Sequence, residues 1–438
     1  MPHELDKILI SSHSLSEANF DAKLADLRML MTNAATFSGD DVRSSQVSDI
    51  INEVIFRNDA AVVDFTEKFD KVKLTPEQFR LSEEELAKAH GQIDKDLLAS
   101  LRQAIKNVRK YQSEIFIADR NTHSGIKYTP IKKVGICVPG ASAPLPSTVI
   151  MTAVPAQVAG VEEITVVSPP RYKGSIHPVI LGICHELKIR KVYRIGGAQA
   201  VAALAFGTGT IDKVYKIVGP GNQWVQTAKR KVFGTVDIDS IAGPSEVLII
   251  ASDQANPAWV AADMLSQAEH DPGSAIVLTD SQALAESVLD ELKKQVKKLN
   301  RTKETSRCLE KHSKIAVFNY IDDAIKCAND IAPEHLEIQC GKQSRKIADK
   351  IQNAGAIFIG DYSPVAVGDY WAGPSHTLPT GMSAKFFSAL SSNDFVKSTS
   401  IIEYDRKKLA ESADDIIRLA EVEGLDAHAK SIKIRRQS

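Results

Sequence analysis

Glu246-Val247-Leu248-Ile249-Ile250-Ala251 decides the architecture of this chain. It is a short apolar run, followed by Asn256-Pro257 and then by a longer stretch, Ala258-Trp259-Val260-Ala261-Ala262-Asp263-Met264-Leu265. A second apolar run follows at 275–278. Short runs that are apolar throughout are strands buried on both faces, and a helix between two of them is the crossover of a parallel sheet. Working outward, the same texture recurs at 133–138, 163–167, 191–195, 216–218, 315–318 and 356–359. The fold is therefore α/β. Residues 1 to about 120 differ: apolar residues recur at helical intervals in 24–31 and 97–108, which predicts polar-faced helices. From about Gly381 onward the strand rhythm stops, leaving one or two helices and a basic tail at 430–436, read as an arm.

Composition narrows the function classes. The 438 residues are 43% hydrophobic and 25% charged, ordinary for a globular chain with a large core. With 54 basic against 55 acidic residues the formal charge is −1, so no charge excess recruits nucleic acid or an anionic membrane. The start, Met1-Pro2-His3-Glu4-Leu5-Asp6-Lys7, has no basic region before an apolar core, and no run approaches a membrane span. The five cysteines, Cys137, Cys184, Cys308, Cys327 and Cys340, are scattered and form no Cys-x-x-Cys pair. Reduced thiols in a cytoplasmic protein are expected, without a cysteine-based metal site.

Ligands in open parallel sheets bind beyond the carboxyl ends of the strands. Three glycine-rich turns follow strands here: Val138-Pro139-Gly140, Ile195-Gly196-Gly197-Ala198-Gln199 and Val218-Gly219-Pro220-Gly221-Asn222. They fit either a nucleotide site or simple tight turns. Asn256 and Pro257 predict an N-cap and first position for the helix that carries Gln267 and His270 at its end. Three apart, these two share a face, and with Asp369 and His428 they form a nitrogen and oxygen set that zinc accepts. Taken singly, His270 fits a helix C-terminus, Asp369 a turn after the strand ending at Ile359, and His428 an exposed arm. Glu334-His335, after Pro333, offers two separate proton-transfer groups or a charged N-terminal turn. Cys137 reads as a buried strand thiol rather than a nucleophile.

These strings resemble one family, histidinol dehydrogenase, from about Lys132 to Ile432. The longest are Gly196-Gly197-Ala198-Gln199-Ala200, Gly219-Pro220-Gly221-Asn222, Ala242-Gly243-Pro244-Ser245-Glu246-Val247-Leu248, Ser266-Gln267-Ala268-Glu269-His270, Pro333-Glu334-His335-Leu336 and Glu423-Gly424-Leu425-Asp426-Ala427-His428. The string from Val134 through Val149 belongs with them. The resemblance implies zinc-dependent, NAD-linked oxidation of L-histidinol to L-histidine, the last step of histidine biosynthesis. Two incomplete Rossmann-like parallel-sheet domains are implied, with a helical N-terminal segment (1–32) and a C-terminal arm (383–438) exchanged in a homodimer. The first domain would comprise 33–133 plus 246–382, with the zinc and substrate site, and the second 134–245, with the NAD site.

By motif, Gln267, His270, Asp369 and His428 would ligate zinc. Ser245, His335 and Glu423 would hold substrate with them, and Glu334 and His335 would be catalytic. Cys137, Gln199 and Asn222 match family positions that touch NAD, and His428 and Glu423 would come from the partner subunit. The chain departs from the family at Cys137, where Tyr is common, and at Gly373-Pro374-Ser375-His376, usually Gly-Thr-Asn-His. The rival reading is a related zinc- and NAD-dependent dehydrogenase of another amino- or sulfonate-bearing alcohol.

Overall fold

The structure is a computed structural model that describes residues 5–35, 40–117, 125–140, 144–270 and 273–437. Residues 1–4, part of the start discussed above, and 141–143, inside one motif string, lie outside the described residues. The chain divides into two units, Met1–Ile117 with Pro130–Phe395, and Ala118–Thr129 with Val396–Ser438. In chain order the strands are β1 (Leu9–Ser11), β2 (Ile126–Pro130), β3 (Lys133–Cys137), β4 (Glu163–Val167), β5 (Lys191–Tyr193), β6 (Lys216–Val218) and β7 (Asp237–Ile238). Then come β8 (Ser245–Ala251), β9 (Gly273–Thr279), β10 (Lys314–Val317), β11 (His335–Gln339), β12 (Ala356–Ile359) and β13 (Val396–Ser400).

Every apolar run expected to be a strand is one, and they sort into two sheets within the first unit. One is six-stranded, β1-β10-β9-β8-β11-β12, and the other five-stranded, β5-β4-β3-β6-β7. All described pairings within both are parallel. Three strands of these sheets go beyond the sequence reading: the two-residue edge strand β7, β1 and β11. β1 lies in a stretch expected to be wholly helical, and pairs Leu9 with Ile315 at the sheet edge. β11 holds Glu334-His335 at its entrance, where a helix or loop was expected. His335, Glu337 and Gln339 alternate with Leu336 and Ile338, and all five are buried. The polar half of that alternation conceals an apolar strand, because its partners come from neighbouring elements rather than from water.

Both faces of the six-stranded sheet are covered. Val247, Ile249 and Val277 meet Val260, Met264 and Val288 on one side. Leu248, Ile250, Leu336 and Ile338 meet Phe20, Leu24, Leu27 and Ile325 on the other. Burying one such side chain is worth roughly 1.5–3 kcal/mol, so both faces of the sheet contribute to the core. The crossover helix Pro257–Ala268 starts as predicted: Asn256 Oδ1 accepts the Ala258 N–H at 2.9 Å, with Pro257 at the first position. It ends at Ala268, so His270 sits exposed in the turn beyond the helix that carries Gln267.

Around the five-stranded sheet, Val167, Tyr193 and Ile217 share a core with Val47, Ile50 and Val54. The stretch around 47–79, which the resemblance assigned to the first α/β domain, thus packs with the five-stranded sheet. In the second unit β2 and β13 form a two-stranded sheet, and helices Arg406–Val422 and Asp426–Gln437 pack on each other. The basic 430–436 segment lies inside the last helix rather than trailing from it. No helix among the described residues is long and apolar enough to cross a membrane.

Candidate functional site

At the carboxyl ends of β3, β4, β5 and β6 the glycine-rich turns enclose a cleft of about 410 Å³. Cys137, Gly140, Gly196, Gln199 and Asn222 line it. Asn222 caps the helix Gln223–Val232, its Oδ1 accepting the N–H groups of Trp224 at 3.1 Å and Val225 at 3.2 Å. Gln199 is buried near the start of helix Gly197–Phe206, and neither its Oε1 nor its Nε2 has a partner. An unsatisfied buried amide costs about 1–3 kcal/mol, so this one is shaped to meet a polar ligand. The Cys137 thiol is buried and its pKa pushed up to about 12 by that burial, with Asp239 adding to the rise and Lys229 opposing it. It is no nucleophile.

The other constellation lies at the opposite strand ends. Ser245 opens β8 and His335 opens β11, with Glu334 just before it, so these groups sit on the amino edge of the six-stranded sheet. Ser245 Oγ donates to Glu334 Oε2 at 2.7 Å, and the Glu246 N–H donates to the same oxygen at 2.8 Å. His335 Nδ1 lies 2.9 Å from the Glu246 carbonyl oxygen. A carbonyl only accepts, so Nδ1 carries the hydrogen and Nε2 keeps its lone pair. That Nε2 is buried without a hydrogen-bond partner, 3.9 Å from Asp369 Oδ1. Burial lowers the His335 pKa, against the raising effects of Asp369 and the Glu246 carbonyl. The imidazole is therefore a neutral base aimed into a cavity of about 330 Å³ that Asp369, Phe358 and His376 also line. Asp369 belongs to the last turn of the short helix Val365–Tyr370, not to a loop. The Val365 N–H at its start donates to Glu337 Oε1 at 2.9 Å, which ties this helix to β11.

Two groups here, Glu246 and His376, were missed from sequence as site residues. Burial pushes the Glu334 carboxyl up to about 8, against the lowering effects of Ser245 and the Glu246 N–H. Glu246 is likewise pushed up to about 8, by burial first and by Glu334 second. Glu246 accepts the Gly381 N–H on Oε1 at 2.8 Å and leaves Oε2 unpartnered. A lone acid opening an aliphatic run was the available signal, since burying a carboxylate is expensive. His376 is half-buried, with its pKa pushed down to about 4 by desolvation of the ring, and its buried Nε2 has no partner.

Raised carboxyl pKa values mean that the folded state keeps protons that the unfolded chain loses. Their stabilisation is full below about 4.5 and lost as pH rises through about 8. Glu246→Gln is therefore expected to be more stable than the parent near pH 8, by about 1–2 kcal/mol, and to differ little near pH 4. Calorimetric melting across that range checks this; an equal pH slope in both proteins would contradict it.

Among the residues expected to hold metal, burial raises the Asp369 pKa, against the lowering effects of His335 and His270. Gln267 is buried with Nε2 unpartnered. No group of three or more His, Cys, Asp or Glu that could hold a metal ion occurs among the described residues. A set in which Gln supplies one donor falls outside that pattern. Glu423 and His428 belong to the second unit, where Glu423 ends helix Arg406–Val422 and His428 stands exposed in the first turn of Asp426–Gln437.

The α/β chain thus carries a glycine-lined cleft on one parallel sheet and a buried acid–base pair on the other. Residues 34–436 match the family model described as histidinol dehydrogenase. A histidinol dehydrogenase from Rhodopirellula baltica is 46% identical over 397 residues, 89% of this chain and 86% of its own. One from Synechococcus sp. is 45% identical over 404 residues, covering 90% and 93%. The crystal structure of histidinol dehydrogenase from Elizabethkingia anophelis matches with a TM-score of 0.87 at 35% identity, over 94% of this chain and 96% of that one. The chain belongs to the histidinol dehydrogenase family.

Proposed function

We propose that the chain oxidises L-histidinol to L-histidine through bound L-histidinaldehyde, with two NAD. The observation that carries this reading is the buried His335, neutral, its Nδ1–H tied to Glu246 and its Nε2 free beside Asp369. His335 Nε2 takes the proton from the alcohol oxygen as hydride leaves the carbon that bears it. Glu334, held by Ser245 and the Glu246 N–H, then takes a proton from the water that hydrates the aldehyde, and His335 deprotonates the hydrate for the second hydride loss. When bound, NAD accepts the hydrides and zinc supplies a Lewis-acidic template that orients the substrate nitrogens. Gln267, His270 and Asp369 would hold the metal, with His428 given across a homodimer interface. Ser245, His335, Glu423 and the metal-holding residues would bind substrate. The unpartnered amide of Gln199, with Asn222 and Cys137, supports the cleft as the NAD site.

In this reading 134–245 carries the cofactor cleft, 246–382 the substrate site, and 383–438 an arm exchanged in the dimer. Five buried cysteines, none in a disulfide, suit a reducing cytoplasm. The names of the relatives do not favour another amino or sulfonate alcohol as substrate.

The test is NADH formed per histidinol consumed by the zinc-loaded protein. Two is expected; absence of turnover with metal and dimer intact would sink the reading. Because Glu334 must lose its proton to act, the hydration step is expected to speed up as pH rises through about 8. Glu334→Gln should lose that limb while still forming one NADH per site in a single turnover.

A further inference from the structure

Below the cofactor cleft lies a buried ion pair that the chemistry does not use. Lys229, on helix Gln223–Val232, pairs with Asp239, and their side chains are only 1% and 4% exposed. Both grip Gly219, the residue just before the cleft-lining Pro220, Gly221 and Asn222. Lys229 Nζ donates to the Gly219 carbonyl at 3.0 Å, and Asp239 Oδ2 accepts the Gly219 N–H at 2.7 Å. The ring closes through the Lys229–Asp239 contact, and Asp239 Oδ1 also accepts the Ser240 N–H at 2.7 Å. Gly219 has φ +104°, and a Cβ there would fall 2.3 Å from the Cys137 carbonyl oxygen. Only glycine fits, and glycine leaves position 219 itself with little steric restraint where the turn leaves its strand.

A buried ion pair adds little net stability, because desolvating two charges offsets their attraction. What this one supplies is position. Resting on the reading of the cleft as the NAD site, we propose that Lys229 and Asp239 are positioning residues for NAD. They clamp both polar groups of Gly219 so that the turn and the helix capped by Asn222 meet the dinucleotide in one fixed place. The clamp stands in for the restraint that glycine removes.

The test is NAD titration by calorimetry of the zinc-loaded protein and of Lys229→Met and Asp239→Asn, alongside KM for both substrates and metal content. NAD affinity is expected to fall about tenfold or more, equivalent to about 1.4 kcal/mol. KM for NAD should rise in parallel, while zinc content and KM for histidinol stay unchanged. Removing one partner of a buried pair is strongly destabilising. Asp239→Asn, which keeps an acceptor for the Gly219 N–H, is therefore the variant to rely on if Lys229→Met does not fold. Parental NAD affinity in either folded variant would overturn the clamp and leave the cleft reading standing. A parent protein that binds no NAD would overturn the cleft reading, and the clamp with it.

Discussion

His335→Asn is expected to lower kcat for histidinol by about 10²–10⁴-fold, the range a positioned general base supplies. The argument is geometric first. Nδ1–H is committed to the Glu246 carbonyl, so Nε2 is the one basic nitrogen of the ring, and it lies buried and unpartnered in the cavity. Asn cannot accept a proton at that point. NAD binding should be untouched, because the cleft sits at the carboxyl ends of the other sheet. Steady-state NADH formation with a parallel NAD titration checks both halves. A loss under about tenfold would place the base elsewhere.

The second large effect is expected at Asp369. Its carboxylate faces His335 at 3.9 Å, and burial raises its pKa against the lowering effects of His335 and His270. Asp369→Ala removes the single anionic donor from the proposed zinc set. The affinity loss should be no smaller than the roughly 10–100-fold that losing even an outer partner of a metal ligand costs. Chelator competition followed by metal analysis reads this without any activity assay, and stripping the parent should abolish turnover. Unchanged zinc affinity in the variant would remove Asp369 from the set and leave its contact with His335 as its role.

The parallel strands were legible because their apolar runs are local, and so was the Asn256 cap, which needs only neighbouring residues. β11 was not, since His335, Glu337 and Gln339 dilute its apolar pattern. The helix carrying Asp369 was hidden too: Val365–Tyr370 is six residues, and Glu337 on another strand holds its first N–H. Lys229 gave no warning at all, sitting in a Lys-Arg-Lys run that reads as solvated surface.

The sequence by itself determined the α/β class and the residue types available for acid–base and cofactor work, because periodicity, caps and motif strings are read along the chain. Tertiary structure decided which strand ends carry which site, which nitrogen of His335 is free, and that Glu334 and Glu246 titrate near 8. Those depend on burial and on partners far away in sequence. Glu246 meets Glu334 and His335 only because β8 and β11 lie side by side in register.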